Sequence, residues 1–206
     1  PALERLVLTA GESFNFFGDV SLNTIDAVTG KSTLANLVLS TPAIYGNGDA
    51  GDVATIITGK FTWGGTDGKA PASITGGRGT GEGGLVVNAE VIEFGYDVSA
   101  RPSGIDNFAR TILGFGDVHF IATDRITANN KGSLSVYQSQ VSTGGDGPQY
   151  QGGNLTLRSP LITGAGGSVN SITAGGALQV SYFEQNCRDF GIELFDVLDK
   201  RQGIEH

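Results

Sequence analysis

The chain carries a weak internal repeat in which a Gly or Asn precedes two alternating apolar residues, and a further apolar residue follows a few positions later. Its clearest copies begin at Asn36, Gly132, Gly153 and Gly176. Alternation with period two belongs to β-strands, and a unit of about 20 residues cannot bury its apolar face alone. The repeat therefore predicts short parallel strands stacked as a solenoid.

The first apolar residues of the copies are 16 to 33 residues apart. They are Val20, Leu37, Val53, Leu85, Val118, Leu134, Leu155 and Leu178. The two longest steps predict inserted loops near residues 62–84 and 95–115. The expected fold is all-β, with one stacked-coil domain over residues 1–181. One continuous interior stack is expected, with Thr156 on the outward face, and its members are Leu134, Val136, Leu155, Leu157, Leu178 and Val180.

The pattern changes at the C-terminal end of the chain. Apolar residues there are spaced three and four apart, as on one face of a helix; they are Phe183, Cys187, Phe190, Leu194 and Leu198. Residues 182–206 are thus predicted to form an amphipathic capping segment and tail that covers the last strand edges. One more degenerate coil is the alternative.

Composition narrows the class of protein. The 33 glycines among 206 residues lie between apolar triplets, where a coil must turn a corner. Lys and Arg number 13 against 21 Asp and Glu, so the net charge of −8 excludes a nucleic-acid-binding stripe and argues against anionic membranes. No apolar run is long enough to insert in a membrane. Since the chain starts at Pro1 and has no Met, we expect it to be a segment of a longer protein.

Three phrases of the sequence carry a family resemblance. They begin at Gly132 (GSLSVY), Gly153 (GNLTLRSPLITG) and Asn170 (NSITAGGALQV). They resemble the repeats of filamentous haemagglutinin-type exoproteins, which are bacterial adhesins exported by two-partner secretion. The resemblance implies a right-handed single-stranded parallel β-helix on the cell surface or secreted. It also implies export through a dedicated outer-membrane transporter and binding to a host-cell or bacterial surface protein or glycan.

Two short motifs resemble cofactor-binding sequences, but each is better interpreted as a loop. Residues 79–84 match G-x-G-x-x-G, yet a predicted strand and not a helix follows at Leu85, so no helix N-terminus would meet a dinucleotide. Gly30-Lys31-Ser32 matches the end of a phosphate loop, but position 25 is Ile instead of Gly. No cofactor is therefore predicted.

Calcium is the more serious metal candidate. Residues 46–52 and 144–147 are acidic, Gly-rich turns without the periodic register of calcium-binding β-rolls. One such turn supplies two or three oxygens, whereas Ca²⁺ takes six to eight. Structural turns are favoured, and no metal site is predicted.

Catalysis on a β-helix would need charged side chains converging on one exposed face. The candidates lie between residues 90 and 125: Glu90, Glu93, Asp97, Asp117 and Asp124, with Arg101, Arg110 and Arg125. Outward strand positions are expected to be polar in any case, so a solvated face is favoured. His119 is predicted to point outward between Val118 and Phe120, without a nucleophile beside it.

Aromatic residues in or near the predicted inserted loops are candidates for ligand contact. Trp63, Tyr96 and Phe108, together with Arg101, are the candidate contacts, and Tyr150 is a further exposed-looking ring. Packing in the core or in a loop is the alternative, and it is favoured for Trp63. Two functions remain open. The first is a non-enzymatic scaffold of an adhesin, and the alternative is a carbohydrate-active β-helix, either a polysaccharide lyase or a glycoside hydrolase of the tailspike type.

Overall fold

The computed structural model describes residues 3–65, 79–96, 107–143 and 147–182 of the 206-residue chain. These residues form sixteen β-strands and no helix. The all-β prediction is confirmed for this part of the chain. No helix in the described residues is long and apolar enough to cross a membrane.

The strands follow the alternation of apolar and polar residues that the repeat predicts. They are β1 (Arg5–Thr9), β2 (Phe14–Phe16), β3 (Val20–Asn23), β4 (Asn36–Ser40), β5 (Ala43–Gly46), β6 (Val53–Trp63), β7 (Gly84–Phe94), β8 (Asn107–Leu113), β9 (Asp117–Ala128), β10 (Lys131–Tyr137), β11 (Ser139–Thr143), β12 (Gly147–Gln151), β13 (Asn154–Arg158), β14 (Ile162–Gly164), β15 (Val169–Ala174) and β16 (Leu178–Ser181).

Two parallel sheets contain fourteen of these strands. The first has nine strands along the order β1-β4-β6-β7-β9-β13-β16, with β3 beside β6 and β14 beside β9. The second has five, in the order β15-β10-β8-β5-β2. An antiparallel hairpin, β11–β12, stands apart from both. The chain passes from one sheet to the other and back in the same direction, an arrangement compatible with a β-solenoid.

Strands β6, β7 and β9 are long because each takes part in two rows of strand pairing, one along its N-terminal part and one along its C-terminal part. The N-terminal part of β6 pairs with β3 and its C-terminal part with β4. Strands β3 and β4 therefore lie side by side with the same strand but in different rows, separated by a loop of residues 24–35. Pairing between β7 and β9 is also irregular midway, between Ala89 and Val91.

The core lies between the two sheets, and in the long strands β6, β7 and β9 it is filled largely by every second residue. Leu85 and Val87 on β7 are paired with Val118 and Phe120 on β9, and all four are fully buried. The ring of Phe120 also meets that of Phe94 edge to face, with centroids 5.0 Å apart. Burying each such side chain stabilises the fold by about 1.5–3 kcal/mol.

The register differs from the predicted one at three copies of the repeat. Val53 is 40% exposed, and its neighbour Ala54 is the inward residue that pairs with Leu85. Leu37 lies in the other row of the first sheet, and Leu134 belongs to the second sheet. The prediction that these positions are equivalent was wrong, because apolar alternation marks a strand but fixes neither its first inward residue nor the sheet that it joins.

The predicted interior stack holds in part. The four residues from β10 and β13 are buried in one cluster, as expected: Leu134, Val136, Leu155 and Leu157. Leu178 and Val180 on β16 continue that register but are 48% and 50% exposed. Strand β16 has β13 on one side and no described strand on the other, so its inward side chains are covered from one direction only.

The shortest complete turn of the chain runs from Leu155 to Leu178, which is 23 residues. Ala54, Leu85 and Val118 occupy equivalent positions 31 and 33 residues apart. The extra length lies in the connections after β6 and after β7. Between β6 and β7 no described residue adds a strand to the second sheet, and β5 pairs directly with β8.

Two predicted boundaries bear on this part of the chain. Asn107–Leu113 is strand β8, so an inserted loop within residues 95–115 can extend no further than residue 106. The predicted capping segment 182–206 lies outside the described residues from position 183 onward.

Candidate functional site

The side chains predicted to contact a ligand form a buried corner where the chain leaves the first sheet. Trp63 ends β6 and is 0% exposed, with its indole Nε1 donating to the Thr41 carbonyl oxygen at 2.8 Å. A buried indole needs such an acceptor, and here the backbone supplies it. Trp63 is therefore a core residue, in agreement with the packing interpretation that the sequence favoured for this ring.

Tyr96 and Phe108 are also buried, and they pack against each other. Their rings meet edge to face with centroids 5.4 Å apart, and Val38 completes the cluster. The Tyr96 hydroxyl lies 3.1 Å from Ser40 Oγ and 3.2 Å from the Gly65 carbonyl oxygen. Neither ring offers a face to a ligand. Arg101, the fourth predicted contact, lies outside the described residues.

Arg110 joins this corner from β8 and is 1% exposed. Its Nε donates to the Trp63 carbonyl oxygen at 2.9 Å, and its Nη1 donates to the Ser133 carbonyl oxygen at 3.2 Å. Burial lowers the pKa of the guanidinium to about 10. Trp63, Tyr96, Phe108 and Arg110 together are called the aromatic corner below, and its contacts serve the fold.

The charged residues considered for catalysis do not form one cluster, and of those described only Glu90 and Asp124 share a surface, the cleft described below. Asp117 begins β9 and accepts from Asn154 Nδ2 at 2.9 Å. Glu93 is nearly buried and pairs with Lys60 at 3.0 Å, whereas Asp124 pairs with its neighbour Arg125. Asp97 lies outside the described residues. His119 is confirmed as an outward residue between buried Val118 and Phe120.

The cofactor-like motifs lie in loops. Residues 79–83 lead directly into β7, and the predicted strand at Leu85 is confirmed. Gly30 and Lys31 lie in the loop of residues 24–35, where Gly30 has a φ of +66°. In the acidic turn at residues 46–52, the Asp52 carboxylate accepts the backbone N–H of Asp49 at 2.8 Å. Among the described residues no three His, Cys, Asp or Glu side chains converge as a metal site.

A cleft of about 980 Å³ lies on the outer face of the first sheet, and the sequence did not predict it. Its floor is the middle of β6, β7 and β9, where these strands pass from one row of pairing to the other. Its wall is the loop of residues 24–35, which is called the wall loop below. The volume falls within the range of ligand sites in proteins.

The wall loop is held to the floor by a chain of hydroxyl groups. Thr24 Oγ1 donates to Thr58 Oγ1 at 2.9 Å, and Ser32 Oγ lies 2.9 Å from Thr24 Oγ1. The Ser32 hydroxyl also donates to the Leu34 carbonyl oxygen at 2.7 Å. A β-carbon added at Gly59 would lie 2.8 Å from Ser32 Cβ, so only Gly fits beneath the loop. These contacts preorganise the wall.

The tip of the wall loop is a turn closed by Asp26. Its Oδ1 accepts the backbone N–H groups of Thr29 at 2.7 Å and Val28 at 3.0 Å. The hydrogen bond from Thr29 is the main reason that the pKa of Asp26 lies below its ordinary value. The Gly30 N–H donates to the Asp26 carbonyl oxygen, which brings Lys31 back toward β6.

The cleft has a mixed lining. Outward side chains from neighbouring strands form its floor at Ile57, Asn88 and Ile121. Four charged residues line it, namely Lys31, Lys60, Glu90 and Asp124, so its charges sum to zero. This surface can accept hydrogen bonds, donate them and cover apolar groups. It holds no nucleophile with an adjacent base among the described residues.

Sequence reasoning missed the cleft for a definable reason. The wall loop separates β3 from β4, which both pair with β6. In the sequence the 17-residue step from Val20 to Leu37 looked like a whole repeat. The turn residues Asp26 to Gly30 were the available signal, since they break the alternation for longer than a corner needs.

Comparisons with known proteins give only short matches. The large subunit 2 of 3-isopropylmalate dehydratase from Salmonella choleraesuis is 75% identical over 32 residues, which is 16% of this chain and 7% of that protein. The large subunit 1 from Mannheimia succiniciproducens is 62% identical over 37 residues, 18% of this chain and 8% of that protein. No family model and no solved structure matches. These matches are too short to assign a family.

Proposed function

We propose that this chain is a right-handed single-stranded parallel β-helix from a large secreted or surface-exposed bacterial adhesin of the filamentous haemagglutinin type. It acts without catalysis, as a rigid scaffold for adhesion or contact between cells. The parent protein is exported through an outer-membrane two-partner secretion transporter. The matched fragments of 3-isopropylmalate dehydratase subunits are too short to bear on this proposal.

The observation that carries the proposal is the stacking of parallel strands around one continuous core. Leu85, Val118 and Leu155 lie at equivalent positions of β7, β9 and β13, which are neighbours in the first sheet, and all three are fully buried. Each layer then contacts only its neighbours, which gives an extended and stiff body. A stiff body that exposes polar outer faces is suited to holding a binding surface away from a cell.

The outer faces supply the second line of support. The sites that sequence reasoning assigned to ligand contact at Trp63, Tyr96 and Phe108 are packed inside. What the described outer surface offers is a cleft of mixed polar and apolar lining beside a preorganised loop. A cleft with such a lining fits reversible binding to a surface protein or glycan.

An adhesion assay tests the proposal. Fluorescent beads coated with the full chain are expected to attach to epithelial cells or to bacterial cells above the level of beads coated with albumin. Heat-unfolded chain on matched beads is the control for nonspecific adsorption. Attachment equal to the control on every surface tested would contradict an adhesive role.

One observation favours the alternative of a carbohydrate-active β-helix. Glu90 and Asp124 come from neighbouring strands and line the same cleft, as the two carboxylates of a glycosidase would. Both are exposed, however, and Asp124 pairs with Arg125, whereas a general acid needs a desolvated position. Release of reducing ends from a polysaccharide panel, lost in Glu90→Gln, would establish this alternative.

A further inference from the structure

We propose that the cleft binds an extended, electrically neutral oligosaccharide that lies across strands β6, β7 and β9. The inference deepens the proposed function, because it names the ligand class and the residues that a scaffold of this kind would use. It rests on the spacing of the floor, the charge of the lining and the chemistry of the floor residues.

The spacing of the floor favours a polymer that runs across the strands. Ile57, Asn88 and Ile121 are paired in register, and neighbouring strands are about 4.8 Å apart. A ligand that crosses these strands meets an equivalent position once per strand. The length of one pyranose unit in a sugar chain is similar to this strand spacing. An extended peptide presents side chains to one face about every 6.6 Å, so it would fall out of step. A sugar chain fits this floor better.

The charges of the lining favour a neutral chain. Lys31 and Lys60 are balanced by Glu90 and Asp124. Lys60 is moreover paired with Glu93, and Asp124 with Arg125. A polyanion would meet no excess of positive charge here, and the chain as a whole carries a net charge of −8. Acidic polysaccharides are therefore disfavoured.

The floor residues match the two kinds of surface on a sugar ring. The Asn88 amide offers two donors and one acceptor for hydroxyl groups. Ile57 and Ile121, one on either side of it, offer apolar contact for the C–H groups of the ring faces. Among the residues that the structure describes, no aromatic ring lines the cleft, so one site binds weakly and many copies on a surface gain strength from avidity.

The test is a titration of the full chain, labelled with nitrogen-15, with named probes. These are neutral hexasaccharides of β-1,4-glucose, α-1,4-glucose and β-1,4-N-acetylglucosamine, with a heparin hexasaccharide as the polyanionic counterpart. At least one neutral chain is expected to shift the amide signals of residues around Asn88 and Lys31. The heparin fragment is expected to leave them unchanged.

Three variants tie the binding to the cleft. Asn88→Ala is expected to weaken it at least about tenfold. Thr55→Ala is the matched control, because Thr55 faces outward on β6 but lies outside the cleft, and binding should not change. Replacing Asp26–Lys31 by Asn-Gly shortens the wall loop while keeping the Ile25–Ser32 bridge, and should also weaken binding about tenfold.

The outcomes separate the two proposals. If no neutral hexasaccharide shifts the cleft signals, or if heparin binds there more tightly, the cleft proposal is overturned. Binding that is equal in Asn88→Ala and wild type also overturns it, provided that both give the same folded spectrum. If coated beads attach to cells equally well with Asn88→Ala, the adhesive function stands and uses another surface.

Discussion

The aromatic corner lies where β6 and β7 end and meet β8, whereas the cleft lies over the middle of β6, β7 and β9, and the two regions differ in what their side chains do. In the corner, Trp63 and Arg110 bury large side chains and satisfy backbone carbonyl groups. In the cleft, Asn88 and Glu90 line a space beside the wall loop and leave their polar groups accessible. The difference shows that the large side chains of the corner hold the strands of the two sheets together, whereas the polar residues in the middle of the long strands leave room for a ligand.

The largest expected effect follows from removing the indole of Trp63. Trp63→Ala should lower the free energy of unfolding by about 3–5 kcal/mol, because it empties a fully buried site and leaves the Thr41 carbonyl oxygen without its donor. Urea unfolding followed by circular dichroism measures it. The matched variant in the cleft, Asn88→Ala, should change stability by less than about 0.5 kcal/mol. Similar losses in the two variants would remove the distinction between corner and cleft.

How far the sequence predicts this contrast can be argued from particular residues. The alternation around Leu85, Val118 and Leu155 is sufficient to predict parallel strands and their inward faces, because one buried face imposes period two. Alternation does not show which of the two sheets a strand joins, so Leu134 was aligned with residues of the first sheet. It also leaves the first inward residue of a strand open by one position, so Val53 was taken in place of Ala54.

The site was less predictable than the fold. An aromatic residue beside a long connection looks exposed in a sequence, and only the chain path reveals that Tyr96 closes over Ser40 and Gly65. The cleft depends on a contact between Ser32 and Gly59, which are 27 residues apart in the sequence. Such a contact follows from register, and register is set by the whole stack.

The next prediction concerns the contact between Gly59 on the cleft floor and Ser32 in the wall loop. Gly59→Ala should cost about 1–3 kcal/mol of stability and weaken hexasaccharide binding, because the new β-carbon meets Ser32 Cβ and forces the wall loop outward. Gly51→Ala is the control, since no atom lies within 4 Å of its β-carbon position. Thermal unfolding and the nitrogen-15 titration measure the two effects. Equal behaviour of the two variants would show that the wall loop yields freely.

A smaller effect tests whether the corner depends on its hydroxyl group as well as on its rings. Tyr96→Phe should cost about 1 kcal/mol, because the ring still packs on Phe108 while the contacts to Ser40 and Gly65 are lost. Tyr150→Phe serves as the exposed counterpart and should cost less than about 0.5 kcal/mol, since that ring is 39% exposed and stacks on Tyr137. Urea titration of both variants checks the order, and a reversed order would mean that ring packing alone defines the corner.

The smallest effect is a pH dependence confined to the tip of the wall loop. Asp26 has a folded pKa below its ordinary value because its carboxylate accepts the Thr29 and Val28 N–H groups. A depressed folded pKa means that this stabilisation is complete above the unfolded pKa and is lost as the pH falls through the folded one. Hydrogen exchange at the Val28 and Thr29 amides should therefore accelerate, beyond the intrinsic pH effect, as Asp26 becomes protonated, and Asp26→Asn should abolish that dependence. The fluorescence of Trp63, the single tryptophan, should stay constant over the same range, since the described corner contains no carboxyl group. If the fluorescence changed at a higher pH than the exchange of the loop amides, acid would act first on the core. The corner and the wall loop would then not respond to pH independently.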